Sequence, residues 1–344
     1  MTELPIIGIT MGDPAGIGPE IAVKALLSEE IYAICKPLLV GDAGVFNDII
    51  KRLALKASIN VISDVKDAKF KVGAIDVYDL HNIDLEKLHF GEISAMAGNA
   101  SFEAVKKVID LALAGEIDAT VTCPINKKSI NEAGHHFAGH TEIYAHYTNT
   151  KKYAMLLVED NLKVIHVSTH VSLRQACDLV KKDRILEVID LLHSGLKQLG
   201  ETNLKIGIAG LNPHAGDNGL FGTEDDQEIL PAVEEAKRRG YDVEGPVPPD
   251  TLFAKAATGT YGGVVAMYHD QGHIPFKLSG FKWNAEKKQM DSVKGVNITM
   301  GLPIIRTSVD HGTAFEIAGK GIASPDAMVL AIESAVQLIR NKNH

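Results

Sequence analysis

Short apolar runs alternate with longer segments of helical periodicity along most of this chain. Buried parallel strands are typically short, rich in Val, Ile and Leu, and bounded by turn residues. A repeated alternation of such strands with helices predicts βαβ units, and therefore an α/β fold with a large parallel or mixed sheet. The strands predicted in this way cover residues 6–11, 37–40, 60–62, 119–122, 153–158, 162–167, 204–209 and 264–267.

The helical segments carry apolar residues three and four positions apart. A stripe formed by Val105, Val108 and Ile109 predicts a long amphipathic helix. Ser324 and Pro325 have the composition of a helix N-terminus, so the last helix is predicted to begin there. The predicted helices begin at Pro19 or cover 45–53, 97–114, 184–199, 225–239 and 325–340. Residues 64–94 are polar and irregular, and no regular element is predicted in them.

Length and composition favour two domains. A chain of 344 residues with 45% hydrophobic content is long enough for one large core or two smaller ones. The strand and helix pattern is repeated in the middle of the chain, which predicts a central domain whose two ends return to the first. The predicted first domain comprises residues 1–124 and 303–344, and the second comprises residues 125–302.

Charge and cysteine content restrict the function. A formal charge of −9 disfavours nucleic-acid binding, but it leaves room for a small phosphorylated substrate, whose recognition needs only a few placed cations or amides. Three cysteines without CxxC spacing argue against disulfides and a thiolate zinc site, and they indicate a reducing compartment. No basic leader or long apolar stretch is present, so we expect a cytoplasmic protein without a membrane segment.

Three of the apolar runs end in a histidine, at His170, His214 and His269. Ligands of α/β proteins collect at the carboxyl ends of parallel strands, so three imidazoles could meet at one edge. Three protein nitrogens with one vacant position suit a catalytic divalent ion. Histidines also end strands for structural reasons alone, and this interpretation stays open. His166, within the run that leads to His170, is expected to be a packed strand residue.

Several further segments could bind an anion. The glycine-rich GDPAGIGPE at 12–20 follows the first strand and permits close backbone approach at a helix start, or only a compact turn. GHTE at 139–142 opens a helix, and NPHAGDNG at 212–219 is rich in turn formers; each could bind a ligand or be purely structural. Lys277 and Arg306 are the cations expected to face a phosphate or carboxylate, unless they are solvated surface charges.

Motifs spread over almost the whole chain resemble one enzyme family. The segment 310–325, DHGTAFEIAGKGIASP, resembles the adenine-side cofactor loop of isocitrate and isopropylmalate dehydrogenases, and the first glycine-rich loop is similar to theirs. The joint match to the 4-hydroxythreonine-4-phosphate dehydrogenase family, PdxA, is highly specific. It is carried by GHTE at 139–142, YHDQG at 268–272, GVNIT at 295–299 and RTSVDHGTA at 306–314.

This resemblance implies an α/β/α two-domain, isocitrate/isopropylmalate dehydrogenase-like fold that is not a Rossmann fold, with the active site in the cleft between the domains. It also implies NAD as the oxidant, although sequence does not separate NAD from NADP. A homodimer would share a divalent metal site; zinc is favoured, and magnesium, manganese or cobalt could serve. The implied metal ligands are His170, His214 and His269. The implied substrate contacts are His140, Thr141, Lys277, Asn297 and Arg306, and the implied cofactor contacts are Gly12, Gly16, Gly18, Asp310, His311, Gly312 and Thr313.

Three features depart from the pyridoxine-pathway pattern. They are the extended stretch 281–292, His273 after YHDQG, and VIHVSTHVSLR at 164–174, which resembles a branch acting on D-threonate 4-phosphate or D-erythronate 4-phosphate. The expected reaction is NAD-dependent oxidative decarboxylation to dihydroxyacetone phosphate and CO2, with Asp270 or Lys277 moving protons.

Three other functions remain open from the sequence. The first is 4-phosphohydroxy-L-threonine as the substrate, in pyridoxal phosphate biosynthesis. The second is a non-catalytic regulatory protein that binds a sugar phosphate, which fold alone does not exclude. The third is a metal hydrolase built on the same histidines, which would leave the 310–325 loop unexplained.

Overall fold

The structure is a computed structural model that describes residues 3–284, 289–293 and 295–342. The strands, in chain order, are β1 (Ile6–Thr10), β2 (Lys36–Gly41), β3 (Ser58–Ile62), β4 (Ala74–Asp79), β5 (Ala119–Thr122), β6 (Ala154–Glu159), β7 (Leu162–His166), β8 (Ile206–Ala209), β9 (Val243–Val247), β10 (Gly263–Ala266), β11 (Phe281–Asn284), β12 (Gln289–Val293), β13 (Val296–Met300) and β14 (Ile305–Val309).

The helices lie between these strands as a βαβ pattern requires. In chain order they are α1 (Gly18–Ala25), α2 (Glu29–Ile34), α3 (Ala43–Arg52), α4 (Ala95–Leu113), α5 (Lys127–Glu132), α6 (His140–Tyr147), α7 (Leu173–Leu179), α8 (Lys182–Gln198), α9 (Leu230–Arg238), α10 (Pro249–Ala257), α11 (His269–Gly280) and α12 (Asp326–Lys342). The predicted α/β class is confirmed. Within the described ranges, no helix has the length and hydrophobicity needed to cross a bilayer.

The chain divides into two compact units, and the first comprises Met1–Thr150 and Leu302–His344. Its strands pair in the order β3-β4-β2-β1-β5-β14, and every pair is parallel. The predicted stripe of Val105, Val108 and Ile109 on α4 packs into a core with residues of β2. Parallel strands covered on both faces can be continuous apolar runs, which is why they were recognisable in the sequence.

Strand β4 was missed because two of its positions are acidic. Asp76 is buried, and its carboxylate accepts hydrogen bonds from the backbone N–H groups of Lys69 and Phe70 at 2.7 to 3.1 Å. Buried carboxylates that cap backbone amides satisfy both partners. The expectation that residues 64–94 contain no regular element is therefore wrong, because tertiary hydrogen bonds make these polar positions compatible with an interior strand between β3 and β2.

The first unit extends further along the chain than the predicted boundary at 124. Helices α5 and α6 contribute Ile130, Ile143 and Tyr144 to its core. The Tyr144 hydroxyl also donates a 2.9 Å hydrogen bond to Thr120 Oγ1 in β5. These contacts place the end of this stretch at Thr150, because the two helices bury their apolar faces against the first unit. The return of the chain, at Leu302, lies one residue from the predicted position.

The second unit is Lys151–Gly301. Its strands pair in the order β13-β6-β7-β10-β8-β9. The β13–β6 and β6–β7 pairs are antiparallel, and the others are parallel, so the sheet is mixed. Of the extended stretch 281–292, the described residues form an antiparallel pair, β11 and β12, while residues 285–288 lie outside the described part of the chain.

Two helix starts show how far local sequence determines structure. Ser324 Oγ accepts a 3.2 Å hydrogen bond from Asp326 N, so the predicted beginning of the last helix is confirmed. Helix α11 begins at His269, directly after β10, and contains Pro275. No helix was predicted there, because glycine and proline in its first turns are typical of a loop. Its position puts His269 in a first helical turn.

Candidate active site

Arg306 is the central charged group of the first unit. It lies inside β14, where its side chain is buried, rather than at the exposed end of an apolar run. Its Nη2 donates a 2.8 Å hydrogen bond to Thr122 Oγ1 in the neighbouring β5, and its guanidinium carbon lies 5.6 Å from the centre of the Tyr144 ring. Burial lowers the pKa of Arg306 to about 10, which leaves it protonated at neutral pH. A fixed, protected cation of this kind is suited to recognising an anion.

The amino terminus of α6 adds further anion-binding groups. GHTE opens this helix as predicted, and the N-cap Gly139 makes no side-chain cap. His140 Nε2 is buried and has no hydrogen-bond partner among the described residues. Burial, followed by the charges of Arg306 and Lys127, holds the pKa of His140 well below its usual value. A neutral imidazole, two nearby cations and the first-turn amides, with Thr141 half-buried among them, form a group that an anion would satisfy.

The glycine-rich loop after β1 is explained by packing within the first unit. A Cβ on Gly12 would lie 2.6 Å from Pro124 O, and one on Gly16 would lie 2.9 Å from Thr313 O. Gly18 is equally confined, by Met11 O. The amides of Gly16 and Ile17 donate to Asp13 O and Thr313 O at 3.0 Å. The compact-turn interpretation therefore accounts for these glycines, and their contact with a cofactor stays a prediction.

The loop after β14 carries the remaining predicted cofactor residues. Asp310, His311, Gly312 and Thr313 follow one another directly, and the Ile17–Thr313 hydrogen bond brings this loop against the glycine-rich loop. A Cβ on Gly312 would meet no heavy atom within 4 Å, so the folded chain itself gives no steric reason for a glycine there. His311 Nδ1 lies 3.0 Å from Gly312 O. Open space beside a glycine is compatible with a ligand approaching the backbone.

Two residues that were not selected from the sequence hold the end of the loop after β14. Glu20 in α1 is fully buried and accepts hydrogen bonds from Gly321 N and Ala323 N at 3.3 and 2.9 Å. Lys24 Nζ bonds to Glu20 at 2.7 Å and donates to Gly321 O and Ala323 O. The spacing of Glu20 and Lys24 on a helix was visible in the sequence, but their distant partners were not.

The three predicted metal ligands follow neighbouring strands of the second unit. The sheet order β7-β10-β8 is parallel throughout, and His170, His269 and His214 come after β7, β10 and β8 respectively. The carboxyl ends of adjacent parallel strands lie at one edge of the sheet. We call the three segments that carry these histidines at that edge, 168–173, 210–221 and 267–271, the histidine rim.

The side chains of the histidine rim do not form a complete site within one chain. The rings of His170 and His269 have centroids 6.0 Å apart, and both line a cavity of about 500 Å³ with Tyr268 and Asp270. His214 instead lies beside Phe221, with ring centroids 6.2 Å apart. Among the described residues, no three His, Cys, Asp or Glu side chains are grouped closely enough to hold a metal ion. The imidazole donors suit a divalent ion, but one chain does not bring three together.

His269 is held in place from two sides. Its Nδ1 lies 2.7 Å from Asp270 Oδ1, and its ring stacks on His273 at 3.7 Å with only 9° between the planes. His273 Nδ1 donates to His269 O at 3.0 Å, and its ring lies 4.8 Å from that of His166. Burial lowers the pKa of His166 to about 3 and that of His273 to about 4. Both imidazoles are therefore neutral at pH 7, and the prediction that His166 is a packed strand residue is confirmed.

The other predicted substrate residues of the second unit lie on separate elements. Lys277 is on α11, two turns beyond His269, and its charge reaches His273. Asn297 is half-buried in β13, and its Oδ1 has no hydrogen-bond partner in the described ranges. Asp270 contacts His269, and such contacts orient a metal-ligating histidine, while proton transfer by Asp270 stays a prediction.

Asp225 and Gln271 were not selected from the sequence, yet they hold the histidine rim together. Gln271 accepts from Met267 N and donates to Gly210 O, both at 2.7 Å, so it ties the end of β10 to the end of β8. Asp225 is fully buried and accepts from Leu211 N at 2.9 Å and from Asn212 N at 3.1 Å. Gln271 belongs to the YHDQG motif and could have been noticed there; Asp225 gave no local signal.

Known proteins resemble this chain over nearly its full length. Residues 33–335 match the family described as "Pyridoxal phosphate biosynthetic protein PdxA". The chain is 46% identical over 334 residues to D-threonate 4-phosphate dehydrogenase of Pectobacterium atrosepticum, covering 97% of this chain and 99% of that protein. It is 43% identical to the crystal structures of 4-hydroxythreonine-4-phosphate dehydrogenase from Klebsiella pneumoniae and Burkholderia phymatum. Their TM-scores are 0.83 and 0.80, with 97% and 98% of this chain and 99% of each of those chains covered.

These matches, together with the fold, define an oxidoreductase that acts on a CH–OH group. The chain belongs to the PdxA family. The family recognised from the sequence motifs is therefore confirmed, and so is the enzyme class. The non-catalytic and hydrolase alternatives are set aside by the same matches.

Proposed function

We propose that this protein catalyses the NAD-dependent and divalent-metal-dependent oxidative decarboxylation of a 4-phosphorylated, four-carbon 3-hydroxy acid. D-threonate 4-phosphate is the preferred substrate in this proposal, and D-erythronate 4-phosphate is its stereochemical variant. The products are dihydroxyacetone phosphate and CO2. The observation that carries the choice of substrate is the 46% identity, over nearly the full length of both chains, to a D-threonate 4-phosphate dehydrogenase.

The first unit supplies groups for the charged ends of such a substrate. Arg306 offers a buried, permanently charged fork, and His140 offers an unpartnered Nε2 beside it. The first-turn amides of α6 and the Thr141 hydroxyl extend this anion-binding surface. Bidentate recognition by arginine orients a phosphate or carboxylate as well as binding it, which is what hydride transfer requires. Lys277 and Asn297 keep the substrate-binding role that the family resemblance implies.

The histidine rim is assigned to the reacting carbon. When bound, a divalent ion there would lower the pKa of the C3 hydroxyl and stabilise charge on its oxygen, while NAD would accept the C3 hydride. Asp270 holds His269 through Nδ1, which leaves Nε2 as the ring nitrogen that could bind a metal ion. Because Asp270 has this role, Lys277 is the residue to which we assign proton transfer.

The incomplete rim is the basis for proposing a homodimer. Each of its three segments carries exposed apolar side chains nearby: Leu173 after His170, Leu220 after His214, and Leu278 on α11 after His269. Leu220 and Leu278 are 71% and 82% exposed, the two largest exposed fractions among the large hydrophobic residues of the described chain. We assign this surface to a second copy of the chain, which would contribute the missing histidine to the metal site.

The homodimer is tested by Leu278→Glu, measured by sedimentation and by zinc competition with a chelator. A charge at the most exposed of these leucines should give a monomer and lower zinc affinity at least tenfold. Leu113→Glu is the matched control, because Leu113 is a half-exposed leucine on α4 in the first unit. A monomeric wild-type protein that binds zinc tightly would contradict the shared site.

The substrate is tested by initial rates of NADH formation with purified, metal-reconstituted protein. D-threonate 4-phosphate, D-erythronate 4-phosphate and 4-phosphohydroxy-L-threonine should be assayed side by side, with dihydroxyacetone phosphate and CO2 measured as products. A kcat/KM at least tenfold higher for a hydroxy acid supports the proposal. The solved 4-hydroxythreonine-4-phosphate dehydrogenases favour the alternative, and preference for the amino acid would establish it.

A further inference from the structure

The backbone that carries His214 is unusual. Asn212 and Pro213 leave β8 in ordinary conformations, and the next six residues all have positive φ. The values are 55° for His214, 55° for Ala215, 82° for Gly216, 44° for Asp217, 54° for Asn218 and 86° for Gly219. Four of these residues carry side chains, and each is strained because its Cβ crowds the following carbonyl oxygen. A strained run of this length persists only where surrounding contacts fix it.

Asp225 supplies those contacts at the beginning of the left-handed turn 214–219. Its Oδ1 accepts from Leu211 N, and its Oδ2 accepts from both Asn212 N and Asn212 Nδ2, at 2.9 to 3.1 Å. The carboxylate is fully buried, so these hydrogen bonds do not compete with water. Glu224 accepts a second hydrogen bond from Asn212 Nδ2 at 2.8 Å.

The segment is closely packed around Gly210. A Cβ on Gly210 would lie 2.8 Å from Asp225 Oδ1 and 2.9 Å from Ala215 Cβ, so the strand end, the carboxylate and the turn are in contact. Gln271 fixes the opposite side through Gly210 O at 2.7 Å. Gly210 N makes the last backbone hydrogen bond to β9, to Val247 O at 2.9 Å, and the side chains of Asp225 and Gln271 hold the backbone around it.

We propose that Asp225 is a positioning residue, whose buried carboxylate holds Leu211 and Asn212 so that the left-handed turn presents His214 in one conformation. The role of His214 in this inference rests on the proposed function. The restraint on the turn does not, because it can be measured in the full-length protein without metal, substrate or NAD.

The test is hydrogen–deuterium exchange of the full-length protein, comparing Asp225→Asn with the wild type. Asparagine keeps the shape but replaces one acceptor by an NH2 group facing a backbone N–H, so at least one hydrogen bond is lost. Amide exchange should become at least tenfold faster in peptides covering 210–219, with unchanged exchange in β6, β7 and β10. Asp226→Asn is the matched control, since Asp226 is the exposed neighbour. Equal exchange in the two variants would overturn the proposal.

Ala215→Gly provides a second test, of strain in the left-handed turn, if Asp225→Asn folds poorly. Glycine adopts positive φ freely, so this variant should keep or raise Tm, by about 1–3 °C, while exchange in the turn increases. A lower Tm would show that the turn is not strained and would contradict the proposal.

Measuring kcat distinguishes the restraint of the turn by Asp225 from the proposed role of His214 in catalysis. Both the Asp225 and the Ala215 variants should lower kcat at least fivefold, with the KM for NAD unchanged. Faster exchange with an unchanged kcat would overturn the role of His214 in the proposed function while supporting the restraint by Asp225.

Discussion

Arg306 with its neighbours Thr122 and Tyr144, which we call the Arg306 group, and the histidine rim hold their polar side chains in opposite ways. Arg306 lies within a strand, is buried, and is fixed by Thr122 and Tyr144 from the same unit. The rim histidines follow the strands; His170 and His214 are exposed and His269 is half-buried. The buried Asp225 and Gln271 hold the backbone at the ends of β8 and β10. The first arrangement is complete in one chain, whereas the second lacks a third ligand there. A buried charge must find its partners when the chain folds. A site made of exposed metal-binding side chains can instead be completed later, by metal binding or by assembly with a second chain.

Removing His214 should have the largest effect, if the rim is completed as proposed. His214→Ala should lower zinc affinity and turnover by about 10³-fold, because a direct ligand is lost. Its exposed position predicts a Tm within about 2 °C of the wild type. Zinc competition, thermal unfolding and NADH formation measure the three quantities. His81→Ala, which removes another exposed histidine, is the control, and full activity of a chelated protein or of the His214 variant would contradict the prediction.

Shortening the buried cation should have the next largest effect. Arg306→Lys keeps a positive charge but loses the fork that reaches Thr122 and an anion together, so kcat/KM should fall about 10²-fold, mainly through KM for the phosphorylated acid. Steady-state kinetics measure this change. Arg340→Lys, an exposed substitution on α12, should have no effect. Equal KM values in the two variants would show that the Arg306 group does not bind the substrate.

The free energy of unfolding should depend on pH through Asp13, a buried residue of the first unit. This carboxyl is fully buried, and burial raises its pKa from 3.8 to about 6. The folded state thus holds a proton that the unfolded state has released, so stability is lost as pH rises from about 4 to 6, by about 3 kcal/mol.

Asp13→Asn should remove that loss. The variant should match the wild type below about pH 4 and exceed its free energy of unfolding by about 2–3 kcal/mol at pH 7.5, because the hydrogen bond from Ala15 N to Oδ1 can be kept. Urea denaturation at both pH values gives the difference, with the exposed Asp226→Asn as a comparison. A gain that is the same at both pH values would show that ionisation is not its cause.

Loosening the loop after β14, which we propose binds NAD, should give the smallest effect. Lys24→Met removes three hydrogen bonds, to Glu20, Gly321 O and Ala323 O, and leaves the carboxylate of Glu20 without this cation. We expect KM for NAD to rise about three- to tenfold with kcat unchanged, as measured by varying NAD at saturating substrate. Lys51→Met is the surface control. A change in kcat without a change in KM would place Lys24 in a different role.

Local signals in the sequence predicted a large part of this architecture. The apolar runs predicted β5 with its observed limits, and Ser324 with Pro325 predicted the start of the last helix. Strand β4 and helix α11 were missed, because Asp76 in one and Gly272 with Pro275 in the other are untypical of those elements. Such residues are tolerated only where distant groups compensate, and a single sequence does not show those groups.

The sequence by itself determined the fold class, the family and which histidines follow strands, because apolar periodicity, capping residues and motifs are local properties; the adjacency of those strands is a tertiary property. Only the tertiary structure decided that Arg306 is buried beside Tyr144, that Asp225 holds a left-handed turn, and that the rim histidines do not form a three-ligand group in one chain. These properties depend on contacts between residues far apart in the chain, whose geometry is set by packing rather than by local preference.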